Sequence, residues 1–381
     1  MENNISLTKP IIKVIGLGGG GSNAVSRMME LGFRGVDYIA ANTDYQALKD
    51  NPAPTKILLG PNVTRGLGAG GDPRIGHAAA KESYQELSKV LSGADMVFMT
   101  AGMGGGTGTG AIPVVAEIAR NLAAVTIAVV TTPFSFELGK RQTSATEGLA
   151  KLREFTHTMI AIPNDRLLKV APPDLPLEVA FRLADDVLRQ AVQGIAEIIT
   201  EPGLINVDFA HVRRIMRLGG GALMSIGFGE GEKKVFDAIE QALHHPLLED
   251  TPLTNSKGLI INFTGGADLS LSEVEEALNY ISLSTSEQAE IVLGVIQDER
   301  MEGRVQVILV ITGIGASPIE EVFSPVISKP QNFSQIDKVE PIPLDNWKFS
   351  ECNLALDIST PINPNDLDMP AFIRRRSRHS G

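Results

Sequence analysis

Two glycine-rich runs, each set between a short apolar stretch and a helical pattern, restrict this chain more than any other feature. The first is Gly16-Leu17-Gly18-Gly19-Gly20-Gly21; the second is Gly104-Gly105-Gly106-Thr107-Gly108-Thr109-Gly110. Isolated glycines serve ordinary turns, whereas runs let the backbone come close to something else. A glycine loop between a strand and a helix leaves N–H groups free at the helix N-terminus, where phosphate binds. The first run fits the dinucleotide pattern G-x-G-x-x-G, and Asp44 follows where a nicotinamide enzyme keeps its ribose-binding acid. A dehydrogenase needs one such turn; two in one sheet can hold a longer phosphate chain from both sides. No lysine follows either run and no G-x-x-x-x-G-K-[ST] occurs, which excludes a P-loop NTPase.

The surrounding pattern sets the fold class. Apolar stretches at 11–17, 36–41, 57–60, 96–101, 126–131 and 159–162 read as strands. Segments 23–31, 77–91, 111–122 and 143–155 between them read as helices. Such alternation predicts an α/β domain with a Rossmann-like parallel sheet covered on both faces. Pro172, Pro173 and Pro176 interrupt it, and a long amphipathic helix follows over 177–200, stopped by Pro202-Gly203. A smaller α+β block comes next, with strands near 222–228, 259–264, 291–296 and 305–312 and helices near 233–243 and 271–281. The last two of these strands follow one another with no helix between. Residues 316–365 are rich in Pro, Ser, Asn and Asp and lack periodicity, which predicts a flexible linker. The expected division is a flexible 1–10, a nucleotide-binding domain over 11–176, a central helix over 177–202, a second domain over 203–315, the linker, and a terminal peptide over 366–381.

Composition narrows the function. With 43% apolar residues among 381, the chain can bury a large core. A formal charge of −11 disfavours nucleic acid as a partner. The one cysteine, Cys352, excludes intrachain disulfides and cysteine-cluster metal sites. Residues 1–10 hold no basic stretch followed by an apolar run, so no leader peptide is expected, and no apolar run reaches the roughly 18 residues of a membrane span.

The run Gly104 to Gly110, GGGTGTG, resembles the signature of the tubulin/FtsZ family. Ala94-Asp95-Met96-Val97-Phe98, Ala101-Gly102-Met103, Asn42-Thr43-Asp44, Gly66-Leu67-Gly68-Ala69-Gly70, Ile162-Pro163-Asn164-Asp165 and Ala191-Val192-Gln193-Gly194-Ile195 resemble the FtsZ branch in particular. The likeness covers about 11–315 and resumes at the tail. It implies a GTPase that polymerises head to tail with copies of itself, forming the cytoplasmic division ring at midcell, with Mg²⁺ accompanying GTP or GDP. It also implies a site. Gly19, Gly20, Gly21 and Asn23 would meet the phosphates and ribose, joined by Asn42, and Gly106, Thr107, Gly108 and Thr109 would hold the α- and β-phosphates. Ala69 and Gly70 would lie by the γ-phosphate, Glu137 and Arg141 at the ribose and phosphate sides, and Asn164, Phe181 and Asp185 at the guanine. Asp185 can accept from the ring N–H and the amino group of guanine, which adenine lacks, and Phe181 can stack on the base. Thr132 and Leu138 stand where the family more often has Lys and Gly.

The same likeness marks a hydrolysis loop, inserted by the next subunit, whose family pattern is N-V-D-F-A-D. Here Asn206-Val207-Asp208-Phe209-Ala210-His211 keeps Asn206 and Asp208 and replaces the second aspartate with His211. A carboxylate accepts hydrogen bonds from the attacking water. A histidine beside a triphosphate is pushed toward imidazolium, which cannot accept a proton. Two outcomes are open: slow hydrolysis in long-lived filaments, or Asp208 sufficing alone. Asp208 also suits the cap of a helix. The run Asp368-Met369-Pro370-Ala371-Phe372-Ile373-Arg374-Arg375 resembles the family's terminal peptide, which docks on membrane-tethering adaptors such as FtsA or SepF, so contact with membrane would be indirect.

Overall fold

The computed structural model describes residues 9–137, 139–169, 175–201, 203–205, 207–248, 256–285 and 289–314. Asn206, Leu138, Pro172, Pro173, Pro202, Cys352 and both terminal segments of the sequence reading, 316–365 and 366–381, lie outside these residues.

The first half runs β1 (Ile12–Leu17), α1 (Gly18–Glu30), β2 (Asp37–Asn42), α2 (Tyr45–Lys49), β3 (Thr55–Leu58), α3 (Pro61–Thr64), α4 (Pro73–Glu82), α5 (Tyr84–Leu91) and β4 (Met96–Gly102). It continues with α6 (Thr107–Asn121), β5 (Val125–Thr132), α7 (Lys140–Arg153), β6 (Thr158–Pro163), α8 (Asn164–Leu168) and α9 (Leu177–Thr200). The second block holds α10 (Phe209–Met216), β7 (Gly221–Glu230), α11 (Lys234–Leu243), β8 (Gly258–Gly265), α12 (Leu271–Ser284), β9 (Glu290–Gln297) and β10 (Arg304–Ile314).

The strands join one sheet in the order β3-β2-β1-β4-β5-β6-β7-β10-β8-β9. From β3 to β6 all neighbours are parallel. Two pairs alone, Met159↔Gly221 and Ile160↔Ala222, join β6 to β7. Period-two patterning explains why the parallel part is covered twice. Val14 and Phe98 enter the apolar layer shared with α1, α9 and α10, while Ile15, Val97 and Met99 enter the layer beneath α4 to α7. The second block has its own apolar cluster between the sheet and α11 and α12.

Two boundaries differ from the sequence reading. Helix α1 starts at Gly18, inside the glycine run. The segment read as one helix over 77–91 breaks at Ser83, whose hydroxyl accepts from the Gly60 N–H at 3.0 Å and so serves the loop after β3. The last two strands, consecutive in sequence, do not pair: β10 lies between β7 and β8, and β9 pairs β8 at the sheet edge. Strand β10 is apolar and buried along nearly its whole length, which suits an interior position; β9 is half exposed, which suits an edge.

Helix α9 ties the parts together. Its buried positions, including Ala180, Ala184, Val187, Leu188, Ala191, Val192 and Ile195, follow the 3.6-residue period. A Cβ on Gly194 would run into the Ile308 side chain of β10, so glycine is what lets helix and sheet close there. Asp185, on the third turn, lies beside Gly20; Thr200, at the end, lies against Gly35 just before β2. The helix therefore crosses the parallel sheet from the C-terminal edge of the strands to the N-terminal edge, and its 24 residues span about 36 Å.

Candidate functional site

The loops after β1 and β4 meet at the C-terminal edge of the parallel strands, and their glycines fall into two groups. One group packs. Gly18 has φ +68°, and a Cβ there would lie 3.0 Å from the Gly108 N; one on Gly108 would lie 2.7 Å from the Gly102 carbonyl; one on Gly21 would collide with the Thr100 carbonyl. These positions press α1 and α6 against the sheet and against each other. The other group faces open space: Gly19, Gly70, Gly71 and Gly105 have nothing within 4 Å of a built Cβ. Neither α1 nor α6 has a side-chain cap or an acidic residue in its first turn. Two sets of unused N–H groups, with the positive ends of two helix dipoles, thus converge beside an open space.

Threonines and Asn42 brace this floor. Thr43 Oγ1 lies 2.6 Å from Thr107 Oγ1, linking the loop after β2 to the start of α6. Thr109 Oγ1 accepts from the Gly104 N–H at 2.8 Å, so this hydroxyl is engaged in shaping the loop. Buried Asn42 accepts from the Asp44 N–H at 3.3 Å through its side chain. Asp44 caps α2 by accepting from Gln46 and Ala47, which employs the acid that the dehydrogenase reading needs at a ribose. Ala69 is buried against Gly106, and Gly70, with φ +57°, follows at the open side.

Across the open space, Phe134, Glu137 and Arg141 follow β5. Glu137 accepts from the Phe134 N–H at 3.0 Å and pairs with Arg141, an i,i+4 bridge with the arginine more than half exposed. Buried Phe134 stacks on Phe136 with centroids 5.0 Å apart and meets Phe181 edge-on at 5.4 Å. Phe181 remains 38% exposed, so the ring is held at one edge and presented at a face.

One helical turn beyond Phe181 sits Asp185. Asn23 donates to its carboxylate and Arg27 adds positive charge, yet burial dominates and pushes the Asp185 carboxyl up to about 7. A buried carboxylate with one donor has capacity for more. Asn164, at the start of α8, is buried with its Oδ1 unpartnered among the described residues. Both groups lack what a base edge carrying N–H donors would bring.

The structure thus gathers Gly19, Gly20, Gly21, Asn23, Asn42, Ala69, Gly70, Gly106, Thr107, Gly108, Thr109, Glu137, Arg141, Asn164, Phe181 and Asp185 along one edge. It does not bring Asp208 and His211 there. Asp208 caps α10, accepting from the Ala210 N–H at 2.9 Å, and both Asp208 and His211 are exposed. The segment before them is pinned to β9, with the Leu204 N–H donating to Val295 O at 2.8 Å. At the far end of α10, Thr158 at the start of β6 donates to Met216 O at 2.6 Å. This group belongs to the N-terminal edge of the parallel strands, the opposite edge from the glycine loops. Sequence reasoning missed Thr43 and Arg27. Arg27 lies one turn past Asn23, a spacing that already puts it on the same helix face.

Residues 11–172 match the model of the tubulin/FtsZ family GTPase domain, and residues 220–315 match that of the FtsZ family C-terminal domain. The cell division protein FtsZ of Pseudomonas aeruginosa is 43% identical over 99% of both chains. The cell division protein FtsZ 1 of Pyrococcus furiosus is 48% identical over 82% of this chain and 84% of its own. An empty FtsZ dimer from M. jannaschii superposes with a TM-score of 0.78 at 45% identity, covering 81% of this chain and 90% of that one. A GTPγS-bound protofilament of CetZ2 from Haloferax volcanii shares the fold at 21% identity, with a TM-score of 0.67 over 82% and 96% of the two chains.

Proposed function

The chain belongs to the tubulin/FtsZ family, in its FtsZ branch, and from that membership we propose that it is a cell-division GTPase that polymerises head to tail and cleaves GTP at the contact between copies. The observation that carries the reading is the separation along α9: the nucleotide-type cradle lies at one edge of the sheet and Asp208 with His211 at the other. The hydrolysis loop cannot serve its own chain's site, whereas stacked copies put one edge against the other.

In this reading the free N–H groups of α1 and α6 hold the phosphates, Thr107 and Thr109 shape the second loop, and Ala69 and Gly70 border the γ-phosphate. Asp185 takes the guanine N–H donors, Asn164 offers its Oδ1, and Phe181 lies against the base. Mg²⁺ would bind with the nucleotide and neutralise phosphate oxygens; the described residues contain no cluster of three His, Cys, Asp or Glu for it. Water attacks the γ-phosphorus, the bond to the bridging oxygen breaks, and GDP keeps the electron pair. Asp208 accepts a hydrogen bond from that water and orients it, with Asn206 two residues earlier in sequence. His211 supplies a weaker acceptor than the usual aspartate, which slows the step.

The domain division at 11–176, 177–202 and 203–315 follows the same reading, as do cytoplasmic placement at midcell and docking of residues 368–375 on adaptors such as FtsA or SepF. No helix among the described residues is long and apolar enough to cross a membrane. The test is phosphate release with GTP and Mg²⁺, alongside sedimentation, for wild type and His211→Asp. Sedimentation with little release, and roughly tenfold or greater acceleration in His211→Asp, is expected from the usual worth of a general base. Equal release by both proteins would make Asp208 sufficient and the chain an ordinary dynamic GTPase.

A further inference from the structure

The edge of the sheet that carries Asp208 is rich in arginine, and its hydrolysis role uses none of it. Helix α10 buries Val212, Ile215 and Met216 and turns His211 and Arg214 outward, with exposed Arg217 as its C-cap. At 100° per residue these three form one stripe about 9 Å long on the face opposite the buried one. Arg213 lies aside, its guanidinium 4.7 Å over the Phe209 ring. Arg214 pairs with Glu290 of β9 and keeps 61% side-chain exposure. Burial lowers the pKa of His157, just before β6, and Arg217 and Arg120, the latter from the last turn of α6, lower it further. Arg153, at the end of α7, reaches toward Gly221. Asp208, Glu290 and Glu154 lie among these arginines.

At the opposite edge carboxyls and cations are mixed: Arg27 stands by Asp185 and Arg141 pairs with Glu137. It is a bound triphosphate, only partly neutralised by its Mg²⁺, that would make that edge negative. We propose that the exposed arginines of α10, Arg214 and Arg217, are a counter-charge surface for the loaded nucleotide edge of a second copy, so that the affinity between copies depends on the nucleotide's charge. The proposal rests on the head-to-tail reading and adds to it the groups that sense what the neighbour has bound. Losing the γ-phosphate removes charge from one side of the contact and weakens it, with no rearrangement required. Glu290 holds Arg214 extended from β9 and offsets part of its charge, which leaves Arg217 the less compensated of the two.

The experiment uses the full chain with a non-hydrolysable GTP analogue, so that turnover does not enter. The critical concentration for sedimentation is measured for wild type, Arg217→Lys and Arg217→Glu at about 0.05 M and about 0.3 M KCl, conditions that change screening appreciably. Nucleotide uptake by dilute protein and thermal melting report that each variant folds. Arg217→Glu should raise the critical concentration roughly fivefold or more at low salt, a shift that shrinks at high salt, and Arg217→Lys should stay within about twofold of wild type. Equal critical concentrations for all three at both salts, with wild type sedimenting, overturn the arginine surface and leave the filament reading standing. Wild type that takes up the analogue yet never sediments overturns both.

Discussion

At the residue scale, Asp185 is the group whose environment departs most from its sequence. An aspartate near the start of a helix is normally ionised, but here burial pushes its carboxyl up to about 7 against the help of Arg27 and Asn23. Guanine N–H donors favour the carboxylate, so its pKa falls on binding and a proton leaves. Nucleotide affinity should therefore rise with pH up to about 7 and level off above it, dropping about tenfold per unit below. For the empty protein the sign is opposite. A folded pKa above the unfolded 3.8 means stability present at low pH is lost as pH rises through about 7. Asp185→Asn should bind GTP roughly 10- to 100-fold more weakly, with a flat pH profile. The same variant, emptied of nucleotide, should be more stable than wild type at pH 8, by on the order of 2–4 kcal/mol. Fluorescence titration across pH and denaturant melts check the two halves.

At the scale of elements, the glycine runs do two jobs that the sequence does not separate. Gly21→Ala drives a methyl into the Thr100 carbonyl and should cost about 3 kcal/mol or more, lowering the melting temperature of the empty protein. Gly19→Ala and Gly105→Ala place their methyls in open space at ordinary backbone angles. They should melt as wild type does, yet bind nucleotide at least tenfold more weakly, because the methyl occupies the cradle. Melting curves with and without GTP distinguish the two groups. If Gly19→Ala bound normally, the open space would not be where the phosphates lie. Helix α10 shows the same economy: Asp208 caps it, so an Asp208→Ala variant loses about 1 kcal/mol of stability as well as catalysis, and its melt should be read beside its rate.

For the whole molecule, α9 is the element on which the proposed sharing of one reaction between two copies rests. It holds the glycine-loop cradle and Asp208 at opposite edges, so in the proposed reading neither site is complete in one chain. Two defective variants should then rescue each other. Asp185→Asn offers an intact Asp208 but binds GTP poorly; Asp208→Ala binds GTP but offers no acceptor to its neighbour. Each alone should release little phosphate, and an equimolar mixture should recover a rate well above the sum of the two. A mixture no faster than that sum would mean that hydrolysis happens within one chain. The arginine edge of α10 belongs to this scale too, since its charge has meaning only against another copy.

The alternation of apolar runs and helical periods already determined an α/β sheet, and the two glycine loops after β1 and β4 pointed to phosphate binding where those strands end. These features are local: strand period, helix caps and the absence of Cβ atoms act within a few residues. The resemblance carried by GGGTGTG and its neighbours marked the remaining candidate residues. Tertiary structure alone decided which glycines pack and which stay open, since that depends on what lies opposite each absent Cβ. It alone placed β10 between β7 and β8, because sheet position follows burial on two faces and not order along the chain. Only packing raised Asp185 toward 7, since desolvation comes from residues far away in sequence. And only the length of α9, laid across the sheet, separated Asp208 and His211 from the cradle by more than a side chain can reach.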